Sequence, residues 1–187
     1  MIGFIQGKII HQAASYVTIL TSAGVGYKVH VPFKEREKNE VKFFIHHHIR
    51  EDTNDLYGFE SSEDLLVFEL LLSVSGVGPK AALSLVSALG RDSILRAIAD
   101  GDVSVFKSIS GIGNKVAAKI IVELKGKVVA GAGSGILIPE DDETVEALVG
   151  LGYKKSEVLP YLAKIPKDVK SVQDKVKYVL KSAGKKS

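Results

Sequence analysis

From the first residue to about position 60 apolar and polar residues alternate, with the two-residue period of half-buried strands. Residues 15–20 (Ser-Tyr-Val-Thr-Ile-Leu) predict a strand, 23–26 (Ala-Gly-Val-Gly) a turn, and 27–31 (Tyr-Lys-Val-His-Val) the returning strand. Residues 41–50 predict another strand, 51–55 a polar turn, and 56–59 a short closing strand. With the opening segment these make about five short strands and no helix, a pattern that suits a small closed or nearly closed barrel.

Beyond Ser61 the period becomes helical. Ser61 followed by Asp64 is a helix start resembling a capping box, with Asp in place of the usual Glu or Gln. Leu65, Leu66, Phe68 and Leu72 continue it as a mostly buried helix. Further helices are predicted over 79–89, 92–99, 103–108 and 114–125. Pro79 suits a first helical position, where its missing N–H costs nothing. The run Ala-Gly-Ala-Gly-Ser-Gly at 130–135 predicts a linker. Three helices follow at 142–149, 156–164 and 171–182. The expected class is therefore α+β and multidomain: a barrel over 1–60, an all-α domain over 61–128, a linker over 129–140, and a small three-helix domain over 141–187.

Composition narrows the functions. A hydrophobic fraction of 45% argues for globular domains rather than disorder. Cysteine is absent, which leaves no thiolate metal site or cysteine nucleophile and fits a cytoplasmic protein. Neither a signal peptide nor an apolar run long enough to span a membrane is expected. The formal net charge of +3 does not by itself identify a nucleic-acid partner, but the distribution of charge is uneven. Acidic residues gather at Glu51-Asp52, between Glu60 and Asp64, and from Glu140 to Glu143. Lys80, Lys107, Lys115, Lys119, Lys125 and Lys127 make the middle of the chain locally basic.

An internal repeat lies in that basic stretch. At an offset of 35 residues (76 to 111), Ser73 aligns with Ser108, Ser75 with Ser110, Gly76 with Gly111, Gly78 with Gly113, Lys80 with Lys115, Ala82 with Ala117 and Leu89 with Leu124. Each copy reads as an apolar helix end, a Gly-x-Gly turn, and a second helix with small residues on one side. Glycine permits positive φ and puts no Cβ between backbone and ligand. The free N–H groups and dipole of the opening helix favour an anion. A lysine two residues past the second glycine adds a charge-assisted contact to phosphate. Taken singly, such a turn is as well explained by a tight helix–helix connection. The matched pair favours backbone phosphate as the ligand. A nucleotide fingerprint fits neither copy, since neither follows a strand nor ends in Gly-Lys-Ser/Thr.

The repeated turn resembles the helix-hairpin-helix motif, which holds DNA phosphates without reading sequence. The whole chain resembles the RuvA family of junction-recognition subunits. The resemblance is carried by Met1-Ile2-Gly3, Gly24-Val25-Gly26-Tyr27 with Val29-His30, Arg50-Glu51-Asp52 with Leu56-Tyr57-Gly58-Phe59, both hairpins, and the stretch from Leu148 to Tyr153. It implies an OB-fold barrel and a homotetramer that holds a Holliday junction open and square-planar. The phosphate contacts would fall to Gly76, Gly78, Lys80, Gly111, Gly113, Lys115 and Lys119. Glu51 and Asp52 would be an acidic pin near the centre of the tetramer, although alone they read as solvated turn residues. Leu148, Leu151 and Leu180, with Tyr153, would engage the RuvB ATPase motor, although alone they read equally well as core of a small helical unit. RuvC resolvase is a further implied partner, and one tetramer or two stacked tetramers fit equally. The family has no catalytic residue or cofactor of its own. Asn114 stands where some relatives have lysine, Lys119 where some have arginine, and Phe4 and Gln6 at positions that are basic in some members.

Other chemistries fit less well. His46-His47-His48 lies on a predicted strand, where only His46 and His48 share a face, and nothing nearby completes a metal site. A helix-hairpin-helix glycosylase would need a catalytic Asp after the hairpin, whereas Asp92 and Asp102 lie in linking turns. A general duplex or single-strand binder remains the alternative. Its barrel aromatics Phe43, Phe44, Tyr57 and Phe59 read as core and interface rather than as a stacking platform.

Overall fold

The computed structural model describes residues 1–32, 40–109, 111–125, 128, 142–162, 165–166, 169 and 171–183. Ser110, Lys127, the predicted linker with its Gly-rich run, and the tail from 184 onward lie outside these residues. The chain forms two compact units, Met1–Ile94 with Val103–Ile120, and Leu95–Asp102 with Ile121–Ser187.

Five strands open the first unit: β1 (Phe4–Gln12), β2 (Tyr16–Leu20), β3 (Gly26–His30), β4 (Glu40–Arg50) and β5 (Thr53–Phe59). They close into a barrel in the order β1-β2-β3-β5-β4. All pairings are antiparallel except β3 with β5, which pair in parallel at Val29–Leu56 and His30–Tyr57. The alternation read from the sequence has a direct cause: successive side chains point to opposite faces of a strand. Ile5, Val17, Ile19, Val29, Phe43, Ile45 and Leu56 accordingly fill one interior. Such a five-stranded closed barrel is OB-like. Of the four aromatics expected in core or interface, Phe43, Tyr57 and Phe59 are buried, while Phe44 is partly exposed and meets Phe4 edge-on at 5.7 Å.

Helix α1 (Ser62–Leu72) begins as the sequence predicts, with Ser61 as N-cap accepting the Asp64 N–H at 3.1 Å. The cap satisfies one of the donors that a helix start leaves over. α1 buries Val67, Phe68, Leu70 and Leu71. Phe68 reaches the barrel wall, with its ring centroid 4.8 Å from Phe59, and 5.4 Å from both Tyr57 and His46.

Helix α2 (Pro79–Asp100) leaves helical geometry at Gly90 (φ 70°, ψ 159°), where the sequence predicts a break between two helices. A short α3 (Ser104–Lys107) and α4 (Asn114–Leu124) follow. In the second unit, α5 (Asp142–Gly150), α6 (Lys155–Leu162) and α7 (Val172–Ala183) share a core of Val145, Leu148, Val158, Leu162 and Val179. α5 ends in a Schellman motif: Gly152 (φ 93°) donates to the Val149 carbonyl at 2.9 Å and Tyr153 to that of Leu148 at 3.1 Å. Tyr153 also packs against the core that Leu148 belongs to.

Candidate nucleic-acid interface

The two hairpins repeat in structure as they do in sequence. In the first, the Ser73 hydroxyl donates to the Leu70 carbonyl at 2.7 Å, Val74 N–H to Leu71 at 3.1 Å, Val77 N–H to Val74 at 3.0 Å, and Ala82 N–H to Gly78 at 2.9 Å. In the second, Ser108 donates to Val105 at 2.8 Å, Ile109 to Phe106 at 3.3 Å, Ile112 to Ile109 at 3.1 Å, and Ala117 to Gly113 at 2.9 Å. Every one of these bonds recurs at the repeat offset. Val77 and Ile112 plug the turns from inside, and Ala82 and Ala117 let the following helices pack closely.

The two glycines of each turn do different work. Gly76 (φ 96°) and Gly111 (φ 87°) occupy the left-handed region, where an L side chain is strained. Gly78 and Gly113 do not have positive φ, and a Cβ built on either meets nothing within 4 Å. Neither a positive φ nor packing among the described residues calls for glycine there. What the missing Cβ provides is close approach from outside, to the first-turn N–H groups that helix geometry leaves without intrahelical partners.

The remaining expected contacts surround these turns. Lys80, Lys115 and Asn114 are exposed, and Lys119 is half-buried. Pro79 contributes no N–H where Asn114, its counterpart, contributes one.

Glu51 and Asp52 form the two-residue tip of the β4–β5 hairpin, between the paired Arg50 and Thr53, and both are exposed. The Thr53 hydroxyl donates to Asp52 Oδ1 at 3.0 Å. The sequence predicted a longer turn, through Asp55, but Thr53, Asn54 and Asp55 continue the ladder opposite Arg50, Ile49 and His48. Asn and Asp are poor strand formers, yet a ribbon bordered by solvent can carry them.

The histidine run lies just below this tip. His46 and His48 share a face, with ring centroids 5.9 Å apart. His46 Nδ1 donates to Glu69 Oε1 of α1 at 2.9 Å. Arg50 Nε donates to His48 Nε2 at 3.1 Å. Burial, then the Arg50 charge and His46, hold the His48 imidazole below its ordinary value, against an opposing pull from Asp55. The bonds of His47 gave no signal in the sequence, because they depend on register: it accepts from Ile2 N–H at 3.1 Å and donates to Asn54 Oδ1 at 2.6 Å.

The three leucines of the second unit occupy different environments. Leu148 is fully buried, Leu180 packs half-buried on the same core, and Leu151 is 59% exposed. Val149, also exposed, was not anticipated. It precedes the glycines of the Schellman turn, which carry the chain away from the core.

An OB-like barrel followed by two matched Gly-x-Gly hairpins defines a tandem helix-hairpin-helix protein. Comparison with known families agrees: residues 1–58 match the family model described as RuvA N terminal domain, and residues 68–127 match the SAM-like helix-hairpin-helix tandem. The protein named Holliday junction branch migration complex subunit RuvA in Caldanaerobacter subterraneus is 38% identical over 99% of this chain and 100% of its own length. The protein of that name in Thermus thermophilus is 40% identical over 97% of this chain and 98% of its own. The one in Exiguobacterium is 41% identical over 84% and 86%. The chain belongs to the RuvA family.

Proposed function

We propose that the chain is a non-catalytic subunit that binds Holliday junctions as a homotetramer, holds them open and square-planar, and recruits a RuvB-type ATPase motor for branch migration in recombination and repair. The observation that carries the reading is the pair Gly78 and Gly113, glycines that neither a positive φ nor packing among the described residues requires. In this reading the backbone N–H groups around Gly76, Gly78, Gly111 and Gly113 cradle phosphates, and Lys80, Lys115 and Lys119 add charge. Phosphate contact positions the protein without reading bases. Selectivity for a junction then has to come from symmetry and from the acidic tip. Residues 1–60 would serve tetramerisation, 61–128 DNA, 129–140 as tether, and 141–187 the motor. No residue is assigned a catalytic role and no cofactor is required, because the work of strand exchange comes from ATP hydrolysis in the partner. A RuvC-type resolvase and a second, stacked tetramer are compatible with the same plate.

The deciding experiment is a gel shift of a four-way junction against duplex of equal length across a salt series. The junction is expected to bind more tightly, with an affinity that falls steeply as salt rises, by roughly 0.9 in the log–log slope per phosphate neutralised. Equal affinity for the two DNAs would overturn the reading in favour of a general duplex binder.

Around a four-fold axis, repeated Glu51-Asp52 tips would repel phosphates from the crossover and guide separated strands apart. Glu51→Gln with Asp52→Asn is expected to tighten duplex binding by roughly fivefold at low salt, about 1 kcal/mol of relieved repulsion. The effect should shrink as salt screens it. An unchanged junction-over-duplex ratio and an unchanged migration rate would remove the pin from the mechanism.

On the motor side, Leu151 is the member of the leucine set with surface to offer, while Leu148 and Leu180 belong to the core of the same unit. Leu151→Ser is expected to weaken motor binding roughly tenfold or more, the scale of losing one buried leucine. Junction binding should be retained. Loss of both activities together would mean misfolding instead.

A further inference from the structure

The β4–β5 hairpin extends beyond the barrel that anchors it. β1 pairs with β4 only from Glu40 to Phe44, and β3 pairs with β5 only at Leu56 and Tyr57. Past the Ile45 N–H bond to the Gly3 carbonyl, at 2.9 Å, the ladder continues to Arg50 and Thr53, and its last three pairs, His48–Asp55, Ile49–Asn54 and Arg50–Thr53, have no third strand beside them among the described residues. A two-stranded ribbon is marginal by itself. Glu51 and Asp52 stand at its far end, so the position of the two carboxylates is only as well defined as the ribbon below them.

The three consecutive histidines are not equivalent in this respect. His46 is tied to Glu69 at the base, opposite Tyr57. His48 is held by Arg50, on its own strand. His47 alone of the three bonds both the opposite strand of the ribbon and a segment outside it. Its Nδ1 accepts the Ile2 N–H, which places the ring proton on Nε2, and Nε2 donates to Asn54, two residues past Asp52. One rigid ring thus spans from the N-terminal strand leader, across β4, to the arm that carries the tip.

We propose that His47 is a positioning residue for the acidic tip, bracing the ribbon against the N-terminal segment so that Glu51 and Asp52 stand where the strands of a junction part. The assignment rests on the role given above to those carboxylates. It predicts that losing the brace affects discrimination rather than grip, because the hairpins that hold phosphate are elsewhere in the chain.

The test uses the full-length protein and the same pair of DNAs. His47→Phe keeps a ring of similar size and removes both bonds. It should leave junction affinity at the parent value and lower the junction-over-duplex ratio by about two- to fivefold through tighter duplex binding, at most the effect of removing the carboxylates themselves. Amide hydrogen exchange at residues 51–53 should quicken, with exchange in the hairpin helices unchanged. Asn54→Ala, at an exposed position, should lower the ratio similarly, and the double variant should lower it no further than the larger single effect. A ratio and tip exchange unchanged in both single variants would overturn the proposal, as would equal losses of junction and duplex affinity. If His47→Phe fails to fold, Asn54→Ala decides by the same criteria. Glu51→Gln with Asp52→Asn, run in parallel, separates the two levels. If it lowers the ratio while the brace variants do not, the brace is wrong and the pin stands; if it has no effect, the pin itself fails.

Discussion

Replacing Gly78 and Gly113 together by alanine is expected to remove most of the protein's affinity for DNA while leaving its stability almost untouched. The structural half of this expectation follows from the open space around both positions among the described residues and from a φ outside the left-handed region. Alanine also restricts the unfolded chain, an effect that typically stabilises by about 0.4–1 kcal/mol at a compatible site. The functional half follows from geometry outside the chain. A methyl group at each turn would stand between phosphate and the N–H groups, and hydrogen bonds to charged groups contribute about 1.5–3 kcal/mol each. Losing one such bond per hairpin amounts to roughly a hundredfold or more in affinity. The same substitution at Gly76 or Gly111 should behave differently, costing about 1–2 kcal/mol of stability through strain at positive φ. Thermal denaturation beside a DNA titration checks both halves. Parent-like binding by the Gly78/Gly113 variant would mean that phosphate does not approach these turns.

Phe68→Ala should have the largest effect on folding. Its ring is fully buried against Phe59, Tyr57 and His46, so it joins α1 to the outside of the barrel. Truncating a buried phenylalanine costs about 3–5 kcal/mol in transfer free energy and cavity. That is a large part of the about 5–15 kcal/mol that holds most domains together. A chemical denaturation midpoint measures it, and a cost below about 1 kcal/mol would mean that barrel and helix do not depend on this contact.

The contrast between these two predictions shows what could be read in the sequence and what could not. The hairpins were legible because their requirements are local: positive φ at Gly76 and Gly111, small residues at Ala82 and Ala117, and a repeat that set each copy against the other. The barrel strands were legible through their alternation, and the break at Gly90 was anticipated within a residue or two. Phe68 was placed in a buried helix, but α1 is apolar around much of its surface, so its pattern does not say which side chain meets which wall. The long arm of β5 was missed because Thr53, Asn54 and Asp55 carry turn chemistry, and only pairing with β4 makes them strand. The His47 bond to Ile2 joins residues 45 apart in the chain, and no local rule reaches that far. Among the leucines of the second unit, apolar character was plain, but the division into buried Leu148 and exposed Leu151 is set by the turn at Gly152.

A sheet that closes on itself has a consequence for assembly. With β2 bonded to β1 on one side and to β3 on the other, that strand offers no row of unpaired amides and carbonyls for another chain to extend. A copy meeting β2 must do so through side chains, in contacts that can be adjusted one residue at a time without opening a route to fibrous growth.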